Sequence, residues 1–170
     1  GEIIRPFLNL SKSDLKIYID ENDLPFVEDD TNSNNDFDRN FLRNEIVPHL
    51  EKRWSKLSEK VAFTSLTADK KKLSLDYMLE KNFKKEISTG IIERTNFVEI
   101  PSFLLEELIR LMLRKKNIAL PSQKVLSEIM NVFFHKKPSN ESYVEWSRKD
   151  GEQVGGKVFS EHNDVIFKKK

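Results

Sequence analysis

The segment that decides the fold and the site is residues 28–48, which read EDDTNSNNDFDRNFLRNEIVP. It concentrates acids, amides and two arginines where an ordinary loop and helix start would need only one capping residue. Arg39 and Arg43 are four residues apart. A helix would therefore project both guanidinium groups from one face, with Asn40 and Asn44 on the adjacent ridge. This density of polar groups predicts a binding site.

Two guanidinium groups on one helical face suit a phosphate or a carboxylate, because arginine presents a fixed fork of donors. A local alternative is that Asp36 and Asp38, just upstream, pair with the arginines on a solvated face or cap the following helix. The loop acids Glu28, Asp29 and Asp30 could bind a metal cation or an ammonium group. Spacing does not separate these uses, so we assign no metal ligand and no catalytic residue.

The pattern around this segment predicts mostly helices. Ser11-Lys-Ser13-Asp14 predicts the cap of a helix that ends at Glu21, and residues 24–27 are expected to be extended because a proline follows Leu24. A polar loop then covers residues 28–35. Downstream, apolar residues at helical spacing predict one long linking helix from about His49 to Phe83. The lysine triplet within it, residues 70–72, is typical of a solvated exterior.

The second half of the sequence changes character near residue 89. Residues 91–100 indicate a short strand or pair of strands, and residues 102–116 an apolar core helix. Leu120-Pro-Ser122 predicts the start of another amphipathic helix. Trp146 and Phe159 are expected to pack on these helices, with stacking on a nucleotide as the alternative for an exposed aromatic. Antiparallel ribbons are expected over 142–146, 153–159 and 164–167, with turns at Asp150-Gly151 and His162-Asn163.

Composition narrows the class of protein. The sequence has no cysteine, which excludes disulfides, and no apolar run of the roughly eighteen residues that a membrane span needs. We therefore expect a cytoplasmic protein without a membrane segment. The formal net charge of +1 hides an asymmetry: residues 1–50 carry −6, residues 51–102 carry +3 and residues 103–170 carry +4. The basic second half is compatible with contact to a nucleic acid.

The order E-D-x-(S/T)-N, a short spacer, R-N-x-x-R and then I-(I/V)-P-x-L resembles the tRNA(Ile)-lysidine synthetase family. Ile4-Arg5-Pro6-Phe7-Leu8 and Leu24-Pro25-Phe26 also look like the run that precedes this motif in the family. The resemblance implies a ligase that uses ATP and Mg²⁺ to activate the C2 carbon of the wobble cytidine in an isoleucine tRNA with a CAU anticodon. Free lysine then displaces AMP to give lysidine.

This chain departs from the family pattern at the nucleotide site. The family's S-G-G-x-D-S loop is absent, and Gly155-Gly156, the only paired glycines, are expected to form a turn or bulge rather than a phosphate cradle. We therefore expect a fragment, inactive alone, that lacks most of the N-terminal PP-loop domain and the C-terminal extension. Its expected parts are the tail of the catalytic domain (residues 1–48), the linking helix (49–88) and a small α+β tRNA-binding domain (89–170).

The predicted fold class is α+β and predominantly helical, with the tail of an α/β nucleotide-binding domain preceding a small helical domain with antiparallel ribbons. In the intact enzyme, the resemblance and the spacing together predict that Arg39 and Arg43 clamp phosphate, while Asn32 and Asn40 order the loop beside them. Two alternatives stay open. The chain could be a noncatalytic RNA- or protein-binding module, or the arginine-asparagine segment could be purely structural.

Overall fold

The computed structural model describes residues 4, 6–7, 10–139, 141–147 and 153–170. Arg5 and Leu8 of the N-terminal motif and the predicted turn at Asp150-Gly151 lie outside the described residues. The chain divides into two compact units, residues 1–65 and residues 66–170. Within the described ranges, no helix has the length and apolar character that crossing a lipid bilayer requires.

The first unit begins with helix α1, Lys12–Glu21. Its N-terminus is a capping box: the Ser11 hydroxyl accepts a hydrogen bond from the Asp14 amide at 3.0 Å, and the Asp14 carboxylate accepts one from the Ser11 amide at 3.1 Å. Asn22 ends the helix, and Asp23 adopts a left-handed conformation with φ of 51°. The predicted cap and end of this helix are therefore confirmed.

The arginine-asparagine segment forms a helical path with one π turn. Helix α2 is Asp38–Phe41, the π turn is Leu42–Ile46, and helix α3 is Val47–Arg53. Pro48 follows the π turn in the first turn of α3 and supplies no N–H to the helical hydrogen-bond ladder. A short 3₁₀ turn, Asp30–Ser33, lies within the preceding loop.

The prediction of one continuous helix from His49 to Phe83 is wrong. Helix α3 ends at Arg53, with Trp54 as its C-cap, and Lys56 takes a left-handed conformation with φ of 65°, which a continuous α-helix does not accommodate. Glu51 bridges the break, because its carboxylate accepts a 2.6 Å hydrogen bond from the Ser58 hydroxyl. The chain continues as helix α4, Leu57–Asn82, and helix α5, Lys84–Thr89.

The second unit contains a four-stranded antiparallel sheet in the order β1-β4-β3-β2. Strands β3 and β4 are joined by the predicted turn, in which His162 has a φ of 56°. Residues 91–100 form only one short strand, because residues 94–97 turn into a 3₁₀ helix. The strands are β1 (Ile91–Glu93), β2 (Tyr143–Trp146), β3 (Gly156–Glu161) and β4 (Asp164–Lys169).

Two helices complete the core of the second unit. Helix α6 is Ser102–Lys115, and helix α7, Gln123–Ile129, continues into a π turn, Met130–His135. The apolar stripe predicted for residues 102–116 is confirmed. The predominantly helical α+β class is also confirmed. The largest fully buried side chains include Leu79, Ile92, Leu105, Leu108, Ile109, Met112, Leu113, Leu126, Ile129, Phe133 and Phe167.

Trp146 anchors the inner face of the sheet. Its side chain is 6% exposed, and its indole N–H donates a hydrogen bond to the Ala119 carbonyl. Gly156 is the cross-strand partner of Trp146, and a Cβ at that position would lie 2.2 Å from the indole ring. The predicted turn or bulge at this glycine pair is wrong for Gly156, which begins β3 and makes room for the indole. The predicted packing of Phe159 on the helices is also wrong, because Phe159 alternates with the buried Val158 and so faces the opposite side of the sheet.

Candidate functional site

The acidic loop is built around Asp29. Its carboxylate accepts hydrogen bonds from the Thr31 amide at 2.9 Å and from the Thr31 hydroxyl at 2.7 Å, which starts the 3₁₀ turn. The hydroxyl bond and then the amide bond lower the pKa of Asp29 below its ordinary value, and the charge of Arg39 adds a smaller contribution. Asp29 is therefore held as a carboxylate at the start of this loop.

Asn40 ties the loop to helix α2. Its side-chain amide donates two hydrogen bonds of 2.8 Å, one to the Thr31 carbonyl and one to the Asn34 carbonyl. Asn40 is 1% exposed, and among the described residues its Oδ1 has no hydrogen-bond partner. Because both bonds require an N–H₂ group facing the two carbonyls, the orientation of the amide is fixed by the loop.

Asn44, one helical turn further along, makes the second connection. Its amide donates to the Asn32 carbonyl at 3.1 Å and to the Asn35 side-chain oxygen at 2.9 Å. The Asn35 amide in turn donates to Glu45 at 3.2 Å. We call Asn40 and Asn44 together the asparagine latch. Four hydrogen bonds from these two amides join residues 31–35 to the helix that carries the arginines.

The two arginines directly precede the two latch asparagines. Both side chains are exposed. Within the part of the chain that the structure describes, neither guanidinium donates a hydrogen bond or forms an ion pair. The local alternative therefore has no support in the geometry, since no ion pair joins Arg39 or Arg43 to Asp36 or Asp38. Phe37, which precedes helix α2, provides no side-chain cap, so these two aspartates do not serve as N-caps either.

A cavity of about 360 Å³ opens beside the loop acids. Lys12 of helix α1 is the one basic side chain among its lining residues, and the sequence pattern gave no reason to place Lys12 there. Over the described residues, no group of three or more acidic or histidine side chains converges to hold a metal ion. The lining residues are Lys12, Glu28, Asp29, Asp30, Asn32, Ser33 and Asn44.

The predicted site residues are partly brought together. Glu28, Asp29 and Asn32 line one cavity. The side chain of Asn40 holds the loop, whereas Asn32 is held through its backbone carbonyl. Asn44 takes the ordering role predicted for Asn32, and the repeated Arg-Asn pair four residues apart is the sequence signal that identifies it. A sequence pattern does not show whether an asparagine acts through its side chain or through its backbone. For this reason the ordering role was predicted for Asn32 and not for Asn44.

A comparison with protein-family models matches the N-terminal part of the chain. Residues 1–50, which include the acidic loop, both arginines and the asparagine latch, match the family model described as a PP-loop domain. The remaining residues are not part of that match. The candidate site therefore lies within the matched segment.

Curated relatives then specify the family. The tRNA(Ile)-lysidine synthase of Buchnera aphidicola (subspecies Acyrthosiphon pisum) is 33% identical over 145 residues, which cover 84% of this chain and 33% of that protein. The enzyme of the same name from Coxiella burnetii is 28% identical over 168 residues, or 96% of this chain and 37% of that protein. This chain belongs to the tRNA(Ile)-lysidine synthase family. It spans about a third of the length of the curated relatives it matches.

Proposed function

We propose that this chain is part of a tRNA-modifying ligase that joins lysine to the C2 carbon of the wobble cytidine in an isoleucine tRNA with a CAU anticodon. Transfer of the adenylyl group of ATP to the oxygen on C2 would release pyrophosphate, and attack of a lysine amine on C2 would then release AMP. The names of the relatives support the substrate, and the PP-loop match supports the use of ATP. The chain would act where tRNA is processed, in the cytoplasm.

One observation connects this function to the geometry: beside the asparagine latch, Arg39 and Arg43 are two exposed guanidinium groups that form no hydrogen bond or ion pair with the described residues. Cations held in this way are suited to a phosphate of the nucleotide or of the tRNA. Arg39 and Arg43 would act as phosphate clamps. Asn40 and Asn44 would be positioning residues, because they act through the loop.

ATP would supply the activating group, and this chain's own contribution to its binding would be the two arginines. No glycine-rich phosphate loop is present in the sequence, and the glycine pair at residues 155–156 is occupied by its contacts with Trp146. Residues 1–48 would close the active site and residues 89–170 would contact the tRNA, connected by residues 49–88. The basic charge of the second half supports that division.

The test is lysine transfer by the complete product of the gene that encodes this chain. The protein is incubated with ATP, ¹⁴C-lysine and an isoleucine tRNA transcript with a CAU anticodon, and radioactivity in precipitated tRNA is counted. We expect incorporation that requires ATP. The same transcript with uridine at the wobble position should accept no lysine, and elongator methionine tRNA should accept much less.

Two results would contradict the proposal. Binding of the transcript without any lysine transfer would favour the noncatalytic RNA-binding alternative. Equal transfer to the cytidine and uridine transcripts would mean that the wobble base is not the acceptor.

A further inference from the structure

The sheet of the second unit has an inner face that contributes to the buried core and an opposite face with exposed side chains. Val144 and Trp146 of β2 and Val158 of β3 are buried on the inner face, as the alternation of the strands requires. The opposite side of the same strands we call the open face. On β2 and β3 its residues are Tyr143, Glu145, Lys157, Phe159 and Glu161. The neighbouring residues of β4 on this side are Lys168, which is exposed, and Ile166, which is buried.

Strand register aligns the rings on the open face. Tyr143 is the cross-strand partner of Phe159, and Phe159 is the partner of Ile166 on β4. Tyr143 is 61% exposed, and Phe159 is partly exposed. The two aromatic side chains therefore lie side by side on an accessible surface, which is an arrangement on which flat ring systems can stack.

A row of cations runs next to the rings. The Lys157 ammonium lies 4.7 Å from the centroid of the Tyr143 ring, and the Lys168 ammonium lies 5.1 Å from the centroid of the Phe159 ring. Lys157 and Lys168 are cross-strand partners. The Lys157 side chain is 39% exposed, so its ammonium is accessible to an incoming anion.

The carboxylate of Glu145 lies next to this row of cations. Glu145 lies 3.4 Å from the Lys157 ammonium and 2.9 Å from that of Lys170. The hydrogen bond from Lys170 is the largest of the causes that lower the pKa of Glu145. Three ammonium groups, those of Lys157, Lys168 and Lys170, thus lie at the end of the sheet where Glu145 is found. The acids Glu161 and Asp164 are cross-strand partners at the other end of β3 and β4.

We propose that the open face binds an unpaired segment of RNA, with bases stacked on Tyr143 and Phe159 and phosphates held by Lys157 and Lys168. The proposal rests on the proposed tRNA substrate and adds where, and in which form, this chain contacts RNA. Aromatic rings accept any base by stacking, and adjacent cations follow the backbone. A protein partner is less suited to this face, because lysine is depleted in the cores of protein interfaces.

A shallow recess at one end of the rings gives the segment an entry point. It has a volume of about 240 Å³ and is lined by Glu141, Ser142, Tyr143, Lys157 and Phe159. A base stacked on Tyr143 would occupy this recess. Tyr143 should therefore contribute more to binding than the less exposed Phe159.

The test is fluorescence anisotropy of the 170-residue chain with a fluorescein-labelled single-stranded RNA of eight nucleotides, and with the same sequence as a duplex. We expect the single strand to bind more tightly. Tyr143→Ala should weaken its binding about tenfold, because base stacking on an aromatic ring contributes on this order. Tyr143→Phe keeps the ring and should bind like the unmodified chain. Tyr77 on helix α4 is 69% exposed, so Tyr77→Ala is a matched control that should change nothing.

A second variant tests the phosphate contact independently of the ring. Lys157→Gln should reduce the slope of log affinity against log salt by about 0.7 for a single strand, since one phosphate contact is removed. Equal affinities of Tyr143→Ala and Tyr77→Ala would overturn the proposal, as would an unchanged salt slope in Lys157→Gln. Neither readout depends on lysine transfer, so failure here is distinguishable from failure of the proposed reaction.

Discussion

The two compact units bury different kinds of residue. Among the described residues of the second unit, 66–170, twenty-two apolar side chains are buried. Among the described residues of the first unit, the one buried side chain is Asn40, while apolar residues such as Phe37 and Trp54 are more than half exposed. The second unit is thus held by apolar burial and the first by directional hydrogen bonds.

The first unit therefore specifies the geometry of the candidate site, whereas the second unit provides most of the stability. Apolar burial is non-directional and contributes much of the free energy of folding, whereas each hydrogen bond contributes little net free energy but fixes an orientation. The candidate site lies in the unit with the smaller apolar core. Regions with few buried apolar contacts open most readily, which is typical of segments that bind ligands.

The largest expected effect is the loss of a buried ring from the second unit. Phe133→Ala should lower the free energy of unfolding by about 3–5 kcal/mol, because a fully buried phenylalanine leaves a cavity. Phe103 is 72% exposed in the same unit, so Phe103→Ala is the matched control and should cost far less. Urea unfolding followed by circular dichroism measures both. Equal losses would contradict the assignment of stability to the core.

A smaller effect is expected from Gly156→Ala, which adds one methyl group beside the Trp146 indole. The added Cβ would lie 2.2 Å from that ring, so the indole or the strand must shift, at a cost of about 1–3 kcal/mol. Urea unfolding gives the stability, and tryptophan fluorescence reports the displaced ring. A variant as stable as the unmodified chain, with unchanged fluorescence, would show that the strand has room here.

Asn40→Ala tests whether hydrogen bonds hold the loop of the first unit. It removes two hydrogen bonds to the loop, so amide protons of residues 31–35 should exchange with solvent roughly tenfold faster, with little change in the core of the second unit. Hydrogen exchange measured by mass spectrometry reads both regions at once. Asn82→Ala is the control, because Asn82 bonds only within its own helix. Faster exchange in both regions would contradict separate support of the two units.

The smallest effect concerns Asp29, which is tested by its pH dependence. The pKa of Asp29 is lowered in the folded chain. Its contribution to the free energy of unfolding is therefore complete above the ordinary aspartate pKa and is lost as the pH falls through the lowered pKa. Thr31→Val removes the hydroxyl donor and should raise the pKa of Asp29. Carboxyl carbon chemical shifts followed through a pH titration measure this. The pKa of Asp14, lowered by Ser11, should stay unchanged and serves as an internal control.

Local patterns predicted more of this molecule than long-range ones. The capping box at Ser11 and the apolar stripe of helix α6 are encoded within a few residues, and both were predicted from the sequence. The sheet order was not predictable, because β1 pairs with β4 across some seventy residues. The break at Lys56 was missed because no glycine or proline marks it. Likewise, spacing predicted a shared face for the arginines, but only the structure separates the Asn44 side chain from the Asn32 carbonyl.

We propose that the asparagine latch presents Arg39 and Arg43 to a phosphate. Lysine transfer by the complete gene product tests it most directly, with Arg43→Ala and Arg39→Ala compared against Arg53→Ala, another exposed arginine of the first unit. We predict that either clamp variant lowers kcat/KM for tRNA by at least about tenfold, the loss expected when a charge-assisted hydrogen bond is removed. Arg53→Ala should keep the unmodified rate. Clamp variants as active as Arg53→Ala would contradict the claim.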